Sequence, residues 1–205
     1  MMGRLMIAIS GAYFMSGSTM RFPAIFLSVV LSIGYFGAAQ AEECGTCILY
    51  GKDHAFAMTA PKGWVLDNKS GVGQGLHQVF YPLGYSWASS PVIAYSRARS
   101  KDAQIQTIED QVADTLNDFK STSPNIKAEA VETIPLKEGK IAKVFHFTGD
   151  QWNNYEAVAY IDEKKTINFV VLSSRSKEWF DKAQTAFRGI MESYTFISDS
   201  VEIKK

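Results

Sequence analysis

Hydrophobic and polar residues alternate along several short segments of the chain, a pattern typical of half-buried β-strands. Strands are predicted at residues 54–58, 64–66, 76–81, 92–95, 128–134, 140–148, 155–162 and 166–173, with a terminal strand at 196–197. The stretch 167–172 is almost entirely apolar, so we expect it to lie centrally in a sheet and to be covered on both faces. Short turns at 137–139 and 163–165 predict that the strands they join are antiparallel neighbours.

Two other segments repeat apolar residues every three or four positions, which is the spacing of an amphipathic helix. The first helix is predicted to start near Asp102 and to end before Ser121. The second is predicted at 176–193, with Ser174 or Ser176 capping its start. Connections between the later strands are too short for parallel crossovers. The chain is therefore expected to be an α+β domain, with a mainly antiparallel β-sheet covered by two principal helices.

The N-terminal part of the chain is typical of a secretory signal. Met20 and Arg21 precede an apolar run at 22–36, and small residues at 39 and 41 predict cleavage between Ala41 and Glu42. Residues 1–19 are either an over-long assigned start or an extended positive region. The alternative is an uncleaved membrane anchor, because residues 22–39 carry no charge and reach the short limit of a bilayer span.

These features divide the chain into four parts. We expect a signal peptide at 1–41, a segment with two cysteines at 42–53, a globular domain at 54–198 and a tail at 199–205. The protein is expected to be exported, either to the periplasm or beyond. Removal of residues 1–41 leaves 19 basic and 21 acidic residues. This balance argues against nucleic acid, or a membrane after signal cleavage, as a partner, because both require a concentrated basic surface.

The pair Cys44 and Cys47 is the sharpest chemical feature of the sequence. A Cys-x-x-Cys pair in an oxidising compartment either forms a structural disulfide or cycles between thiol and disulfide forms. The redox motif normally begins a helix, whereas a short apolar run follows here. A structural disulfide that fixes the N-terminal end is the favoured interpretation, and a thiol–disulfide active protein is the alternative.

Other reactive residues lack the spacing of a catalytic or metal site. His54, His77 and His146 are distant from one another in the sequence. The glycines at 71–75 precede no helix that would hold a phosphate group. The acids of the first predicted helix occupy its solvent face. The sequence therefore assigns no catalytic residue, no cofactor and no metal ligand.

Aromatic residues in two predicted loops indicate a recognition surface. Tyr85 and Trp87 lie in the loop between the strands at 76–81 and 92–95, and Trp152 lies in a polar turn at 151–155. Exposed Tyr and Trp supply large contact areas for protein or sugar recognition. The alternative is that Trp64, Trp87 and Trp179 fill the core.

The segment 56–64, Phe-Ala-Met-Thr-Ala-Pro-Lys-Gly-Trp, resembles the opening of the PsbP-like fold, in which a strand runs into a "P-x-G-W" turn. The later order is similar, and the closing helix ends in the "S-Y-x-F" pattern at 193–196. This superfamily includes extrinsic photosystem subunits, a Ran-binding import factor and exported bacterial proteins.

The resemblance implies a PsbP-like α/β/α sandwich and a docking or assembly role without catalysis. No residue matches the superfamily's partner-binding positions, and fold alone does not fix function. The leading hypothesis is an exported, non-catalytic binding or assembly domain of unknown partner. A thiol–disulfide protein and a small-ligand carrier or hydrolase, with a pocket between sheet and helices, remain as alternatives. The oligomeric state is left open.

Overall fold

The computed structural model describes residues 45–202, which form two antiparallel sheets and two helices. The strands are β1 (Thr46–Gly51), β2 (His54–Thr59), β3 (Trp64–Asp67), β4 (Val79–Pro82), β5 (Val92–Ser100), β6 (Lys127–Pro135), β7 (Ile141–Thr148), β8 (Tyr155–Asp162), β9 (Thr166–Ser174) and β10 (Thr195–Ser198). The helices are α1 (Ile108–Phe119) and α2 (Lys177–Glu192). The predicted α+β class is confirmed.

Seven strands form the larger sheet in the order β3-β4-β5-β9-β8-β7-β6, and β1-β2-β10 form the smaller one. Every pairing between the described strands is antiparallel. Strand β9 lies in the middle of the larger sheet, as its continuous apolar run predicts. The turns at 137–139 and 163–165 join antiparallel neighbours, as expected.

The larger sheet is covered on both faces. Successive side chains of a strand point to opposite faces, and the strands of this sheet carry apolar side chains on both. Helix α2 and the inner face of the smaller sheet cover one face and form the first core with it, including Phe56, Leu172 and Phe187. Helix α1 covers the other face and forms the second core, including Val112 and Tyr160. The predicted sandwich of sheet and helices is thus present, with a second small sheet beside α2.

Several element boundaries differ from the sequence prediction. Helix α1 begins at Ile108 rather than near Asp102, because the Asp102 carboxylate accepts hydrogen bonds from the backbone of Gln104 and Ile105 and holds a turn there. The helix starts where Thr107 and Asp110 form a capping box. Strand β4 begins three residues later than predicted, and β5 continues to Ser100.

The sequence pattern does not predict strand β1 and shows only a short apolar run after the cysteine pair. In the structure, β1 pairs with β2 from Thr46 opposite Thr59 to Gly51 opposite His54. Cys47 and Leu49 then point into the first core. The strand is stabilised by this pairing rather than by its own sequence.

The "P-x-G-W" turn packs directly against α2. The Trp64 amide donates to the Pro61 carbonyl at 3.0 Å, and Gly63 has φ of +81°, a conformation that favours glycine. A Cβ atom on Gly189 of α2 would lie only 3.3 Å from the Pro61 Cβ. Glycine at position 189 therefore allows the helix to approach the turn closely.

Candidate functional site

Two predicted aromatic loops meet at one end of the larger sheet. Loop 83–91 leads into β5 and loop 149–154 leads into β8, and the first residues of both strands, Val92 and Tyr155, pair with Ser174 at the end of β9. Helix α2 begins three residues after Ser174. We call this region the aromatic end: loop 83–91, loop 149–154 with Tyr155, and residues 175–180.

Aromatic side chains from the two loops contact the first turn of α2. The Tyr85 ring lies edge-on to the Trp179 ring, with centroids 5.7 Å apart and planes at 82°. The Tyr155 ring lies 6.1 Å from that of Phe180, which the His146 ring also contacts at 5.6 Å. The first turn of α2 is therefore flanked by one aromatic side chain from each loop. Leu83, Tyr85 and Tyr155 are 61%, 41% and 37% exposed, so this surface has an accessible apolar part.

The three sequence-predicted residues of the recognition surface do not form one cluster. Tyr85 is exposed and faces α2. Trp87 is half-buried and packs against the second core, on the α1 side of the sheet. Trp152 is half-buried in the turn at 149–154. Among residues 45–202, no ring contact joins these three side chains.

Hydrogen bonds hold the first loop and the start of α2 in place. The Ser174 hydroxyl donates to the Pro91 carbonyl at 2.8 Å and accepts from the Ser176 amide at 3.0 Å. The Ser176 hydroxyl caps α2 by accepting from the Trp179 amide at 3.4 Å. This arrangement links the end of loop 83–91 to the helix on which Trp179 is placed.

The second loop is fixed in a similar way. The Asp150 carboxylate accepts from the backbone amide of Asn154 at 2.8 Å and from its side-chain amide at 2.7 Å. The Gln151 amide donates to the Ser123 hydroxyl at 3.0 Å. Both loops are thus preorganised, which reduces the entropy lost when such a surface binds a partner.

The charges at the aromatic end are unevenly paired. Lys177 and Asp181 form an ion pair along the exposed side of α2, as do Glu178 and Lys182. Arg175 is exposed and, in the described part of the chain, forms no ion pair. Lys182, although paired, also lies over the Trp179 ring, with Nζ 5.6 Å from the ring centroid. Arg175 is therefore one cation of the aromatic end whose charge is available to a partner.

A carboxyl group beside this surface has a perturbed pKa. Burial raises the pKa of Glu156 to about 7, and the charge of Asp150 adds to this effect. A hydrogen bond of 2.8 Å from the Ser173 hydroxyl acts in the opposite direction. Glu156 therefore changes its charge near neutral pH, but its side chain points to the opposite face of β8 from that of Tyr155.

The cysteine pair is described only in part. Cys44, Ala41 and Glu42 lie outside the described residues, so the Cys44–Cys47 disulfide and the signal cleavage site stay predictions. Cys47 lies in strand β1 and is 5% exposed, within the first core. No free cysteine is present in residues 45–202. A buried position in a strand differs from the accessible helix start that activates a redox cysteine.

The other candidate groups are dispersed. His54 and His146 lie on strands β2 and β7, and His77 is exposed in the segment before β4. Within residues 45–202, no three His, Cys, Asp or Glu side chains are placed to hold a metal ion. Neither of the two described helices is long and apolar enough to cross a membrane.

A surface hollow of about 310 Å³ lies between the second half of α1 and the segment before β6. Its lining is Ala113, Leu116, Asn117, Lys120, Pro124 and Ile126. Lys120 is its one titratable group, and neither a nucleophile nor a pair of carboxylates lines it. This hollow therefore provides no support for the hydrolase hypothesis.

Part of the aromatic end is not evident from the sequence pattern. Trp179 packs against the first core, as one interpretation of its sequence expects, and its half-buried ring also contacts Tyr85. Arg175 carries no motif, and its position between β9 and α2 is the available signal, because such junctions lie at the end of a sheet.

No protein-family model and no curated protein matches the sequence. Three solved structures illustrate what the chain is similar to. Cyanobacterial PsbP (CyanoP) from Synechocystis sp. PCC 6803 is 15% identical, with a TM-score of 0.46, and the match covers 78% of this chain and 96% of that one. The Ran-binding protein Mog1p of Saccharomyces cerevisiae is 9% identical, with a TM-score of 0.44 and coverage of 75% and 95%.

A variant of protein Mog1 gives the same TM-score of 0.44 at 11% identity, with coverage of 75% and 95%. At such identities the likeness concerns the course of the chain and transfers no residue or activity. A cyanobacterial PsbP is among the solved structures to which this chain is similar.

Proposed function

We propose that this protein is an exported, non-catalytic domain that binds a protein partner through the aromatic end. The observation that supports this function most directly is the placement of exposed Tyr85 and Tyr155 on either side of the first turn of α2. Both loops that carry these rings are fixed by internal hydrogen bonds. A rigid, partly apolar surface of this kind is suited to recognition.

The residue types favour a protein as the partner. Tyr, Trp and Arg are the residues most enriched at the energetic centres of protein interfaces. Tyr85 contacts Trp179 here, and Arg175 precedes the same helix. Small ligands bind mostly in concave sites, whereas Leu83 and Tyr85 are exposed large apolar side chains. Arg175 would donate hydrogen bonds to a carboxylate or carbonyl group of the partner.

Photo-crosslinking tests this surface directly. A benzoylphenylalanine residue replaces Tyr85 or Tyr155 in the full chain, which is produced in its native host and irradiated. Tyr50 supplies the matched control, because it is 58% exposed but lies on β1 of the smaller sheet. We expect a discrete protein adduct from positions 85 and 155 and none from position 50.

Arg175→Ala tests the contribution of the exposed cation, because this substitution alters the surface without affecting the core. This substitution is expected to lower the adduct yield from position 85 several-fold. Equal adducts from positions 50 and 85, an unchanged yield in Arg175→Ala, or no adduct from any of the three positions would contradict the proposed surface.

Export and the state of the cysteines form a separate part of the proposal. We expect the exported chain to begin at Glu42 and to take up alkyl groups at Cys44 and Cys47 only after reduction. The intact mass of the purified protein, measured with and without reductant, tests both points. A chain that retains residues before Glu42 contradicts cleavage, and free thiols on the exported chain contradict the disulfide.

A further inference from the structure

Unpaired polar atoms are concentrated at the opposite end of the molecule, between the two sheets. Four buried side-chain atoms of the described residues have no hydrogen-bond partner: His54 Nδ1, Gln111 Oε1, Thr166 Oγ1 and Asn168 Oδ1. Gln111 lies on α1, on the far face of the larger sheet. The other three belong to β2 and β9, whose inner faces meet in the first core.

One side of this group is closed by contacts between β9, β5 and the turn before β2. Thr166 lies directly opposite Ser100 of β5. The Ser100 hydroxyl donates to the Asp53 carboxylate at 3.2 Å. Asp53 immediately precedes His54, so these contacts bring His54 to the end of β9 at which Thr166 lies.

The other side is closed by aromatic rings. Asn168 lies two residues from Thr166 and therefore on the same face of β9. Its side-chain amide donates to the Tyr194 hydroxyl at 2.9 Å. The Tyr194 ring lies 5.4 Å from that of Phe56, which lies 6.0 Å from the His54 ring. These contacts link the residues that carry the three unpaired atoms into a closed circuit, and we call the region that they define the polar chamber.

Of the carboxylates next to the polar chamber, that of Glu163 is already paired, and that of Asp53 accepts a hydrogen bond from Ser100. The Glu163 carboxylate accepts from the Tyr194 hydroxyl at 2.8 Å and from Lys140 Nζ at 2.5 and 2.6 Å. Burial lowers the pKa of His54, although the charge of Asp53 opposes this effect. The imidazole is therefore neutral at pH 7, and the three unpaired atoms belong to uncharged groups.

We propose that the polar chamber binds an ordered water molecule through His54 Nδ1, Thr166 Oγ1 and Asn168 Oδ1. An amide oxygen can only accept a hydrogen bond, whereas a hydroxyl group can both donate and accept. Water offers two donors and two acceptors, which matches this set. Because His54 belongs to the smaller sheet and the other two residues to the larger one, the water molecule connects the two sheets.

The substitution Thr166→Val tests the site because it removes the hydroxyl group and keeps the side-chain shape. A buried hydroxyl group without a hydrogen-bond partner destabilises the folded state, and a methyl group in its place does not. An empty chamber therefore predicts a melting temperature that is unchanged or higher in Thr166→Val. A hydroxyl group that binds water predicts a lower melting temperature, since the bound water loses a partner. Thr148→Val, at the exposed last residue of β7, is the control for the same exchange in a strand, and we expect no fall there.

A second measurement does not depend on a variant that folds. Oxygen-17 magnetic relaxation dispersion detects internal water with a long residence time in the unmodified protein, and one such water fewer is expected in Thr166→Val. A raised or unchanged melting temperature in Thr166→Val overturns the proposal. The absence of long-lived water in the unmodified protein also overturns it. A melting temperature that rises selectively with potassium or ammonium ions overturns it as well, because that result assigns a cation to the site.

Discussion

The Tyr194 hydroxyl group tests the hydrogen-bond network of the first core, because it joins two partners. Tyr194 is 2% exposed, and its hydroxyl donates to the Glu163 carboxylate while accepting from the Asn168 amide. Burial raises the pKa of Tyr194, so the hydroxyl keeps its proton at every pH at which the protein is studied. The substitution Tyr194→Phe removes this one group and keeps the ring that contacts Phe56.

The expected loss of stability follows from the two hydrogen bonds. A bond to a charged acceptor is worth about 1.5–3 kcal/mol, and an uncharged donor that is left buried without a partner costs about 1 kcal/mol or more. We therefore expect Tyr194→Phe to lower the free energy of unfolding by roughly 2–4 kcal/mol. This is a large part of the roughly 5–15 kcal/mol typical of a domain.

Urea unfolding followed by circular dichroism measures this loss. With a denaturant dependence of about 2 kcal/mol per molar, the middle of the range for small proteins, the midpoint is expected to fall by about 1–2 M at an unchanged slope. Tyr50→Phe is the matched control, because Tyr50 is 58% exposed and its loss is expected to stay within about 0.5 kcal/mol. If the two variants unfold at the same midpoint, the assigned hydrogen-bond network is wrong.

Two further predictions concern pH and backbone conformation. Because burial raises the pKa of Glu156 from 4.5 to about 7, the folded state binds this proton more tightly, and stability should fall by up to about 3 kcal/mol as the pH rises from about 4.5 to above 7. Urea midpoints at pH 5 and pH 8 measure this fall, which Glu156→Gln should abolish; parallel pH profiles would contradict the assignment. Gly149→Ala should cost about 2 kcal/mol or more in urea unfolding, because φ is +82° and a Cβ atom would run into the Asn125 carbonyl. Gly139→Ala, with φ of +72° and open space around it, should cost about 1 kcal/mol, and equal losses would exclude the Asn125 contact as the cause.

The amphipathic helices and the central strand were predictable because their signal is local. The apolar spacing of α2 lies within one continuous segment, and the predicted helix at 176–193 differs from Lys177–Glu192 by one residue at each end. The apolar run of β9 likewise predicted a central strand. Both signals arise because one element buries its own periodic set of side chains.

Strand β1 was missed because its short apolar run becomes a strand only through its pairing with β2. The terminal strand was expected, but its neighbour was not, because β10 pairs with β2 across more than a hundred residues of sequence. The start of α1 was set by whether Asp102 or Thr107 capped the chain, and both residues have side chains suited to capping. When two residues can each serve as the N-cap, the start of the helix depends on how the turn after each of them packs.

The sequence by itself determined the class of the fold, the order of most elements and the aromatic composition of two loops. Only the tertiary structure decided that Tyr85 faces Trp179 while Trp87 packs on the opposite face of the sheet. It also decided that His54 and, far from it in the sequence, Thr166 and Asn168 each keep a buried polar atom without a hydrogen-bond partner where the two sheets meet. Periodicity along the chain reports which side chains are buried, whereas the identity of their neighbours depends on strand order and register, which arise from contacts between distant segments.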